Sequence, residues 1–175
     1  GMPIVVAPAM HESMFRHPGV AGCLRTLEGW GIMVVGPRIE EGKAKIADIG
    51  DIVLHCEREL MGKPLLGHHV LVTSGPCRES VDDVRVLTTR STGLMGRALA
   101  LQAFRLGARV TVVHADRFPA VENVRTTDAA GMLKEVTRIC REDPVDLFIS
   151  AAAVSDFCPE PCPGKIPSGN TVTLT

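Results

Sequence analysis

Two stretches of the sequence gather small, hydroxyl-bearing and charged residues between apolar segments. The first, "TSGPCRESVDDVRVLTTRSTGLMG" (73–96), contains Gly75, Gly93 and Gly96, and the second, "SAAAVSDFCPEPCPGKIPSG" (150–169), contains Lys165. Glycines let backbone N–H groups approach a phosphate closely, and the start of a helix adds positive potential. The spacing fits neither G-x-G-x-x-G nor G-x-x-x-x-G-K-[ST], so a solvated loop with surface ion pairs is an equally good interpretation of the first stretch.

The bulk properties narrow the class of protein. The 175 residues carry a formal net charge of -1, with 45% hydrophobic and 22% charged residues, as expected for a soluble globular protein. This balance argues against nucleic acid or a membrane as a partner, and we find neither a membrane-spanning run nor a signal peptide. The six scattered cysteines favour a reducing compartment, so we expect a cytoplasmic protein.

The pair Cys158 and Cys162 has the C-x3-C spacing of half a zinc site. A structural zinc ion needs two further ligands, and no second cysteine pair or H-x3-H motif follows. We therefore predict no metal site built from protein residues alone.

Apolar runs rich in β-branched residues alternate with segments of helical periodicity along the whole chain. We predict strands at 3–10, 32–37, 68–74, 108–115 and 144–154, and helices at 17–31, 48–62, 92–107 and 128–143. Asp128 is the expected N-cap of the last helix, whose Met132, Val136 and Ile139 share one face. Met95, Leu99, Ala103 and Leu106 form the expected apolar stripe of the helix before it.

Alternating strands and helices predict an α/β fold, a Rossmann-like parallel sheet with helices on both faces. Lys63-Pro64 interrupts the pattern, so we expect one domain at 1–62 and another at 65–175. Ligands of such sheets lie beyond the C-terminal ends of the strands. Both stretches that gather small and charged residues follow strands, so we expect them at this edge.

Three blocks of the sequence resemble the bifunctional flavoproteins of coenzyme A biosynthesis. The blocks "VTSGPCRESVDDVRVLTTRSTGLMGRALA" (72–100) and "ISAAAVSDFCPEPCPGKI" (149–166) resemble the phosphopantothenate–cysteine ligase half. The block "PIVVAPAMHESMF" (3–15) resembles the P-A-M-[NH]-x-x-M motif of the phosphopantothenoylcysteine decarboxylase half, and "EGKAKIADIGDI" fits its archaeal version. The resemblance covers nearly the whole chain.

The resemblance implies a reaction and a set of site residues. In the family a nucleoside triphosphate, usually CTP with Mg, activates the carboxylate of 4′-phosphopantothenate, and the amine of cysteine then attacks the acyl-nucleotide. The implied nucleotide-binding residues are Gly75, Ala151, Ala152, Ala153, Asp156 and Lys165, and the implied substrate-binding residues are Arg90, Ser91, Thr92 and Gly93. We expect the full-length protein to be a homo-oligomer.

Three positions of the ligase half depart from the family pattern. Thr89, implied as catalytic, stands where the family has an asparagine, and a hydroxyl offers fewer hydrogen-bonding options than an amide. Cys77 stands where threonine is usual. His114 stands in a segment where many members have "VSGP", and we predict it to be a loop residue.

In the decarboxylase half, the resemblance implies a catalytic role for His11 and a substrate-binding role for Met14. A plain helix-start role for His11 is the favoured alternative. The family's flavin loop precedes this motif, so we expect FMN only in a full-length decarboxylase half. Because the family's ligase half continues with further lysines, we expect the 175 residues to be a fragment with weak or no ligase activity.

Two other functions fit the same fold. One is a non-catalytic nucleotide-binding module. The other is an NAD(P)-binding domain, which the sequence disfavours because it lacks G-x-G-x-x-G and an acidic residue at the end of the unit's second strand.

Overall fold

The computed structural model describes residues 1–160, 162–169 and 172. The chain divides into two compact units, residues 1–64 and 65–175. Among the described residues the longest helix has 14 residues, and no helix there combines the length and apolar character needed to cross a bilayer.

The first unit contains five short strands and three helices. They are β1 Val5–Val6, β2 Met10–His11, α1 Glu12–Phe15, α2 Pro18–Gly29, β3 Met33–Val34, β4 Arg38–Glu40, β5 Lys43–Lys45 and α3 Ile49–Leu60. Strands β1 and β3 pair in parallel. Helix α2 begins as predicted, since His17 Nδ1 accepts a hydrogen bond from the Gly19 N–H at 3.1 Å and Pro18 occupies the first helical position.

The predicted first strand of this unit is broken in two. Residues 5–6 pair with β3, whereas Met10 and His11 join an antiparallel sheet of order β2-β5-β4 that the sequence did not predict. The turn between β4 and β5 consists of Glu41 and Gly42, with φ of 51° and 70°. Two consecutive positive φ angles are what a two-residue hairpin turn requires.

The second unit is built on a four-stranded parallel sheet of order β10-β9-β6-β11. Its elements are β6 His69–Pro76, β7 Arg78–Ser80, β8 Val86–Thr88, α4 Leu94–Arg105, β9 Arg109–His114, β10 Glu122–Arg125, α5 Ala129–Glu142 and β11 Leu147–Ala153. All five predicted strands and helices of this unit exist. Asp128 caps α5 as predicted, because its Oδ1 accepts from the Gly131 N–H at 2.7 Å.

Helices α4 and α5 lie on opposite faces of this sheet. Leu71 of β6 packs in one buried cluster with Met132 and Ile139 of α5. Ser74, three residues further along β6, contacts Gly96 of α4. Successive side chains of a strand point to opposite faces, so residues three apart face opposite ways. The prediction of an α/β sheet with helices on both faces is confirmed.

The predicted apolar stripe of α4 is wrong at two of its four positions, Met95 and Leu99. The residues of α4 that are buried are Gly96, Ala100, Ala103 and Phe104. Met95 is 72% exposed and Leu99 40%. The cause is the close approach of α4 to β6, which admits glycine and alanine at the contact and turns the longer side chains outward.

We expect Gly96→Ala to destabilise the second unit by about 1–3 kcal/mol, the usual cost of overpacking. A Cβ on Gly96 would lie 2.4 Å from Ser74 Oγ and 2.7 Å from Ser74 Cβ. Urea unfolding followed by circular dichroism measures the change. The control is Gly22→Ala in α2, where a Cβ meets no atom within 4 Å. It should stabilise its helix by about 0.5–1 kcal/mol. Equal effects of the two substitutions would contradict the tight contact.

Candidate functional site

The order of the strands in the second unit indicates where a ligand-binding crevice should lie. From β6 the chain proceeds to β9 and β10 on one side and returns to β11 on the other. Ligands of open parallel sheets bind at this reversal, outside the C-terminal strand ends. Gly75 near the end of β6, His114 at the end of β9 and Ala153 at the end of β11 lie at this edge.

The structure brings together two of the glycines singled out in the sequence. Gly75 and Gly93 have φ of 81° and 68°, and a Cβ on Gly93 would lie 3.0 Å from Gly75 Cα. Ser74 Oγ donates to the Gly93 carbonyl at 3.2 Å, and the Gly93 N–H donates to Ser91 Oγ at 3.3 Å. Gly93 is the N-cap of α4 and has no side chain to cap its N–H groups. Two backbones therefore meet beside a helix start, which suits an anionic ligand.

A cleft of about 110 Å³ opens beside this contact. Gly75, Thr92 and Gly93 line it, as do Arg97, His114 and Asp116. Arg97 and Asp116 were not among the site residues predicted from the sequence. Arg97 lies in the first turn of the helix that follows Gly93, and this place in the sequence could have predicted it as a site residue.

His114 is not a loop residue, so this prediction is wrong. It is the last residue of β9 and is 1% exposed. Its Nε2 lies 2.7 Å from Asn123 Oδ1, and its ring lies 4.4 Å from the Phe118 ring. Burial lowers the pKa of the imidazole below its usual value, and so favours the neutral form.

Asp116 corrects a second expectation. No acidic residue was expected at the end of the second strand, yet Asp116 lies two residues beyond β9 and lines the cleft. The Arg97 guanidinium lies 5.5 Å from the centre of the Phe118 ring, within the range of a cation–π contact. The cleft therefore presents both a cation and a carboxylate.

The segment after β6 is an antiparallel hairpin, not a solvated loop. Strands β7 and β8 pair in the register Arg78 with Thr88 and Ser80 with Val86. Glu79 is buried and accepts from the Ala129 N–H at 2.9 Å, which ties the hairpin to the start of α5. Cys77 is buried too, and this burial raises the pKa of its thiol, so it is not poised as a nucleophile.

The tip of this hairpin holds the segment that contains Lys165. Asp83 Oδ2 accepts from the Gly164 N–H at 3.0 Å and Asp82 Oδ2 accepts from the Ile166 N–H at 3.1 Å. Arg85 Nη2 donates to the Ile166 carbonyl at 2.7 Å. We call Asp82, Asp83 and Arg85, with the segment 164–166, the latch. It fixes the backbone on both sides of Lys165, whose side chain is exposed.

Asp82 is the centre of the latch. Its side chain is fully buried and pairs with Arg85 at 2.6 Å. The Arg85 guanidinium, with backbone N–H groups of Val84, Ile166 and Arg85, holds the pKa of this carboxyl far below its usual range. Asp82 is therefore ionised at any pH at which the protein is used.

The three alanines of the second stretch pair with the end of β6. Ala151, Ala152 and Ala153 are half-buried and lie opposite Ser74, Gly75 and Pro76 in register. Ser155 Oγ bonds the Phe157 N–H at 3.2 Å and the Phe157 carbonyl at 2.8 Å, forming a turn. Asp156 lies in this turn and is exposed.

Thr89 lies just after β8 and is half-buried. Its Oγ1 is buried and has no hydrogen-bond partner among the described residues. Arg90 beside it is exposed, and Ser91 is half-buried. A buried hydroxyl without a partner costs free energy, and such groups are common where a ligand supplies the partner.

In the first unit, His11 is the N-cap of the four-residue helix α1. Its Nδ1 lies 3.0 Å from Ser13 Oγ and accepts from the Ser13 N–H at 3.4 Å. Met14, in the same helix, is 57% exposed. The predicted helix-start role of His11 is therefore confirmed. Within the described ranges, no three His, Cys, Asp or Glu side chains cluster so as to hold a metal ion.

The fold and this edge define an α/β domain built on an open parallel sheet, with a crevice where the strand order reverses. Comparison with known families agrees with the resemblance seen in the sequence. Residues 65–174 match the DNA/pantothenate metabolism flavoprotein C-terminal domain, and residues 1–61 match the Flavoprotein family. The chain belongs to the DNA/pantothenate metabolism flavoprotein family.

Individual relatives give the same assignment. The coenzyme A biosynthesis bifunctional protein CoaBC of Thermococcus kodakarensis is 40% identical over 98% of this chain and 44% of its own length. The protein of the same name from Methanocaldococcus jannaschii is 35% identical over 98% of this chain and 43% of its own length. The chain thus spans less than half of the length of these relatives.

A solved structure also matches the fold. The crystal structure of the C-terminal domain of coenzyme A biosynthesis bifunctional protein CoaBC has a TM-score of 0.54 and 35% identity. The match covers 65% of this chain and 56% of that one.

Proposed function

We propose that residues 65–175 bind a nucleoside triphosphate for the phosphopantothenate–cysteine ligase reaction of coenzyme A biosynthesis, in the cytoplasm. CTP with Mg is the expected nucleotide, and 4′-phosphopantothenate and cysteine are the expected substrates. The observation that carries the proposal is the latch, which unites the two motif blocks and fixes the backbone around Lys165. In a full-length protein the unit would act within a homo-oligomer.

Each site residue has a role that its position permits. Backbone N–H groups at the start of α4 face the phosphates beside the side-chain-free surfaces of Gly75 and Gly93, and Lys165 neutralises part of the phosphate charge. Ala151, Ala152 and Ala153 supply a small surface for the nucleotide to pack against, and Asp156 accepts hydrogen bonds from it.

The substrate-facing residues follow the hairpin. Arg90, Ser91 and Thr92 lie between β8 and α4 and offer a cation and two hydroxyls to 4′-phosphopantothenate. Thr89 Oγ1, which has no protein partner among the described residues, donates to the oxygen that becomes negative as the acyl-nucleotide reacts. The chemistry thus needs only oriented donors around an activated carboxylate.

The magnesium ion fits a site completed by the nucleotide itself. The described residues offer no cluster of three acidic ligands, and Mg²⁺ is commonly held by one or two carboxylates together with substrate phosphates. Asp156, an exposed carboxylate at this edge, would contribute one such ligand.

We propose that residues 1–62 are part of a phosphopantothenoylcysteine decarboxylase half. His11 and the exposed Met14, at the start of α1, would contact substrate and FMN there. FMN, when bound in a full-length decarboxylase half, would itself act as the oxidant.

Binding experiments test the ligase proposal directly. Isothermal titration with CTP, ATP, NADPH and NADH should show that a nucleoside triphosphate binds, and pyrophosphate release with 4′-phosphopantothenate and cysteine tests turnover. Asp116, at the end of β9, favours one rival, an NAD(P)-binding domain, because an acidic residue there can hold a ribose. Binding of NADH, whose ribose has the free 2′-hydroxyl that an acidic residue accepts from, or of NADPH, without binding of CTP or ATP, would replace our proposal by this rival.

We expect Lys165→Ala to weaken CTP binding about tenfold, since it removes a charged contact to phosphate, and to leave cytidine binding almost unchanged. The matched control is Lys134→Ala, which removes an exposed lysine from α5. Calorimetry at constant ionic strength measures both. An equal loss for CTP and cytidine would show that Lys165 does not contact phosphate.

A further inference from the structure

The side-chain amide of Asn123 has one possible orientation. Its Oδ1 accepts from the Phe118 N–H at 2.7 Å, and its Nδ2 donates to the carbonyls of Phe118 at 3.0 Å and Val121 at 2.7 Å. The opposite orientation would set the amide N–H against a backbone N–H and the oxygen against two carbonyls. Three backbone groups therefore fix the Asn123 oxygen on the side of His114.

The fixed amide determines the tautomer of His114. Asn123 Oδ1 is an acceptor, so His114 Nε2, at 2.7 Å, must carry the hydrogen. In the neutral imidazole the other nitrogen, Nδ1, then has a lone pair and no hydrogen. Nδ1 is buried and has no hydrogen-bond partner among the described residues. His114, one of the residues that line the cleft, thus carries a buried acceptor that lacks a donor among the described residues.

The start of α4, in contrast, presents hydrogen-bond donors that lack a side-chain cap among the described residues. Gly93 leaves the first N–H groups of the helix without a side-chain cap, and the guanidinium of Arg97 lines the same cleft. N–H groups and a guanidinium are donors and favour an anion. The cleft is therefore lined by donors and by acceptors, and the carboxylate of Asp116 stands near His114.

We propose that this cleft binds a phosphate ester that carries a free hydroxyl, with the hydroxyl donating to His114 Nδ1 and the phosphate at the start of α4. The proposal rests on the proposed ligase function and adds the residue that selects the ligand. Both the ribose phosphate of a nucleotide and 4′-phosphopantothenate have this chemistry. Asp116 accepts from a second hydroxyl where the ligand has one, and repels a phosphate placed beside its carboxylate.

The first test is the state of His114 itself. Nitrogen-15 spectra of the imidazole in the 175-residue chain should show the Nε2–H tautomer at neutral pH without ligand. The Nδ1 resonance should then move when a hydroxyl-bearing ligand is added. A protonated Nδ1 in the free protein would overturn the proposal, since the hydrogen-bond acceptor would not exist.

The second test removes the hydroxyl from the ligand, which leaves the protein intact. Affinities are measured by calorimetry for CTP against 2′-deoxy-CTP and 3′-deoxy-CTP, and for 4′-phosphopantothenate against its deoxy analogue. We expect about a three- to tenfold loss of affinity in one of the two series, the usual effect of one hydrogen bond to a buried partner. The series that shows it identifies the ligand that occupies the cleft.

His114→Leu should abolish this discrimination, whereas Lys165→Ala should weaken CTP and its deoxy analogues equally. Equal affinity of parent and deoxy ligands in both series, with CTP still bound, would overturn the selection by His114 and leave the ligase proposal standing. Failure of every ligand to bind would remove both.

Discussion

Thr89→Asn should raise the rate of acyl-nucleotide turnover about 100- to 1,000-fold in a chain of full family length. One donor to a developing oxyanion is typically worth about 3 kcal/mol. Thr89 Oγ1 already occupies a buried position without a partner among the described residues, so an amide there would face the same ligand. A suitable protein joins residues 1–175 to the C-terminal part of the Thermococcus kodakarensis relative.

The effect should appear in kcat and not in CTP affinity, because the contact forms only as the reaction proceeds. Pyrophosphate release with CTP, 4′-phosphopantothenate and cysteine measures it. In residues 1–175 alone we expect almost no change, since turnover there is weak or absent. A rate in the joined protein that Thr89→Asn leaves unchanged would show that the threonine hydroxyl serves as well as the amide.

Thr89→Val is the matched control, because valine has nearly the same shape and no hydroxyl. It should lower turnover in the joined protein further. It should also raise the free energy of unfolding slightly, by about 1 kcal/mol, since it removes a buried hydroxyl that lacks a protein partner. A variant that unfolds less readily but turns over more slowly would show that the Thr89 hydroxyl serves the ligand and not the fold.

The sequence predicted the elements whose signals are local. Asp128 before a periodic segment predicted α5, and the run of β-branched residues at 110–113 predicted β9. Strand β10, Glu122–Arg125, was missed because it is a polar edge strand with one apolar residue at its centre, Val124. The face of α4 was mispredicted because Gly96 packs on Ser74, and periodicity alone scores glycine as neutral.

The candidate site could likewise be predicted only where it depends on local features of the sequence. Gly75 and Gly93 follow from the rule that ligands lie beyond strand ends, a rule that needs only the order of elements. The contact of Asp82 with Ile166 joins residues 84 apart in sequence, and no spacing rule reaches that far. The role of His114 depends on Asn123, whose orientation is set by a turn that only the folded chain contains.

Asp82→Asn should both loosen the latch and lower the stability of the second unit. Asp82 Oδ1 accepts from the N–H groups of Val84 and Arg85 at 2.9 and 2.7 Å, and its Oδ2 binds Arg85 and Ile166. An asparagine has one carbonyl oxygen, so its NH₂ group would face donors on one side. We expect a fall of several degrees in the unfolding temperature, measured by calorimetry at neutral pH.

The pH dependence of stability has a definite sign. Because the pKa of Asp82 is depressed in the folded chain, its contribution is fully present above the usual carboxyl pKa of about 3.9. It is lost only as the pH falls towards the much lower folded pKa. The difference in unfolding temperature between the wild type and Asp82→Asn should therefore be constant from pH 8 to pH 5 and shrink in stronger acid. A difference that grows in acid would contradict the assignment.

We expect Asp82 to affect nucleotide binding by positioning Lys165, and a double-mutant cycle tests this expectation. Asp82→Asn alone should weaken CTP binding by up to the tenfold expected of Lys165→Ala, because the segment 164–166 is no longer fixed. Asp83→Ala, which removes the acceptor of the Gly164 N–H at the exposed side of the latch, should have a smaller effect. In the Lys165→Ala background, Asp82→Asn should change CTP affinity very little, since residues that act through one contact are not additive. Full additivity, measured by calorimetry on folded variants below their unfolding temperatures, would mean that the latch stabilises the fold without positioning the lysine.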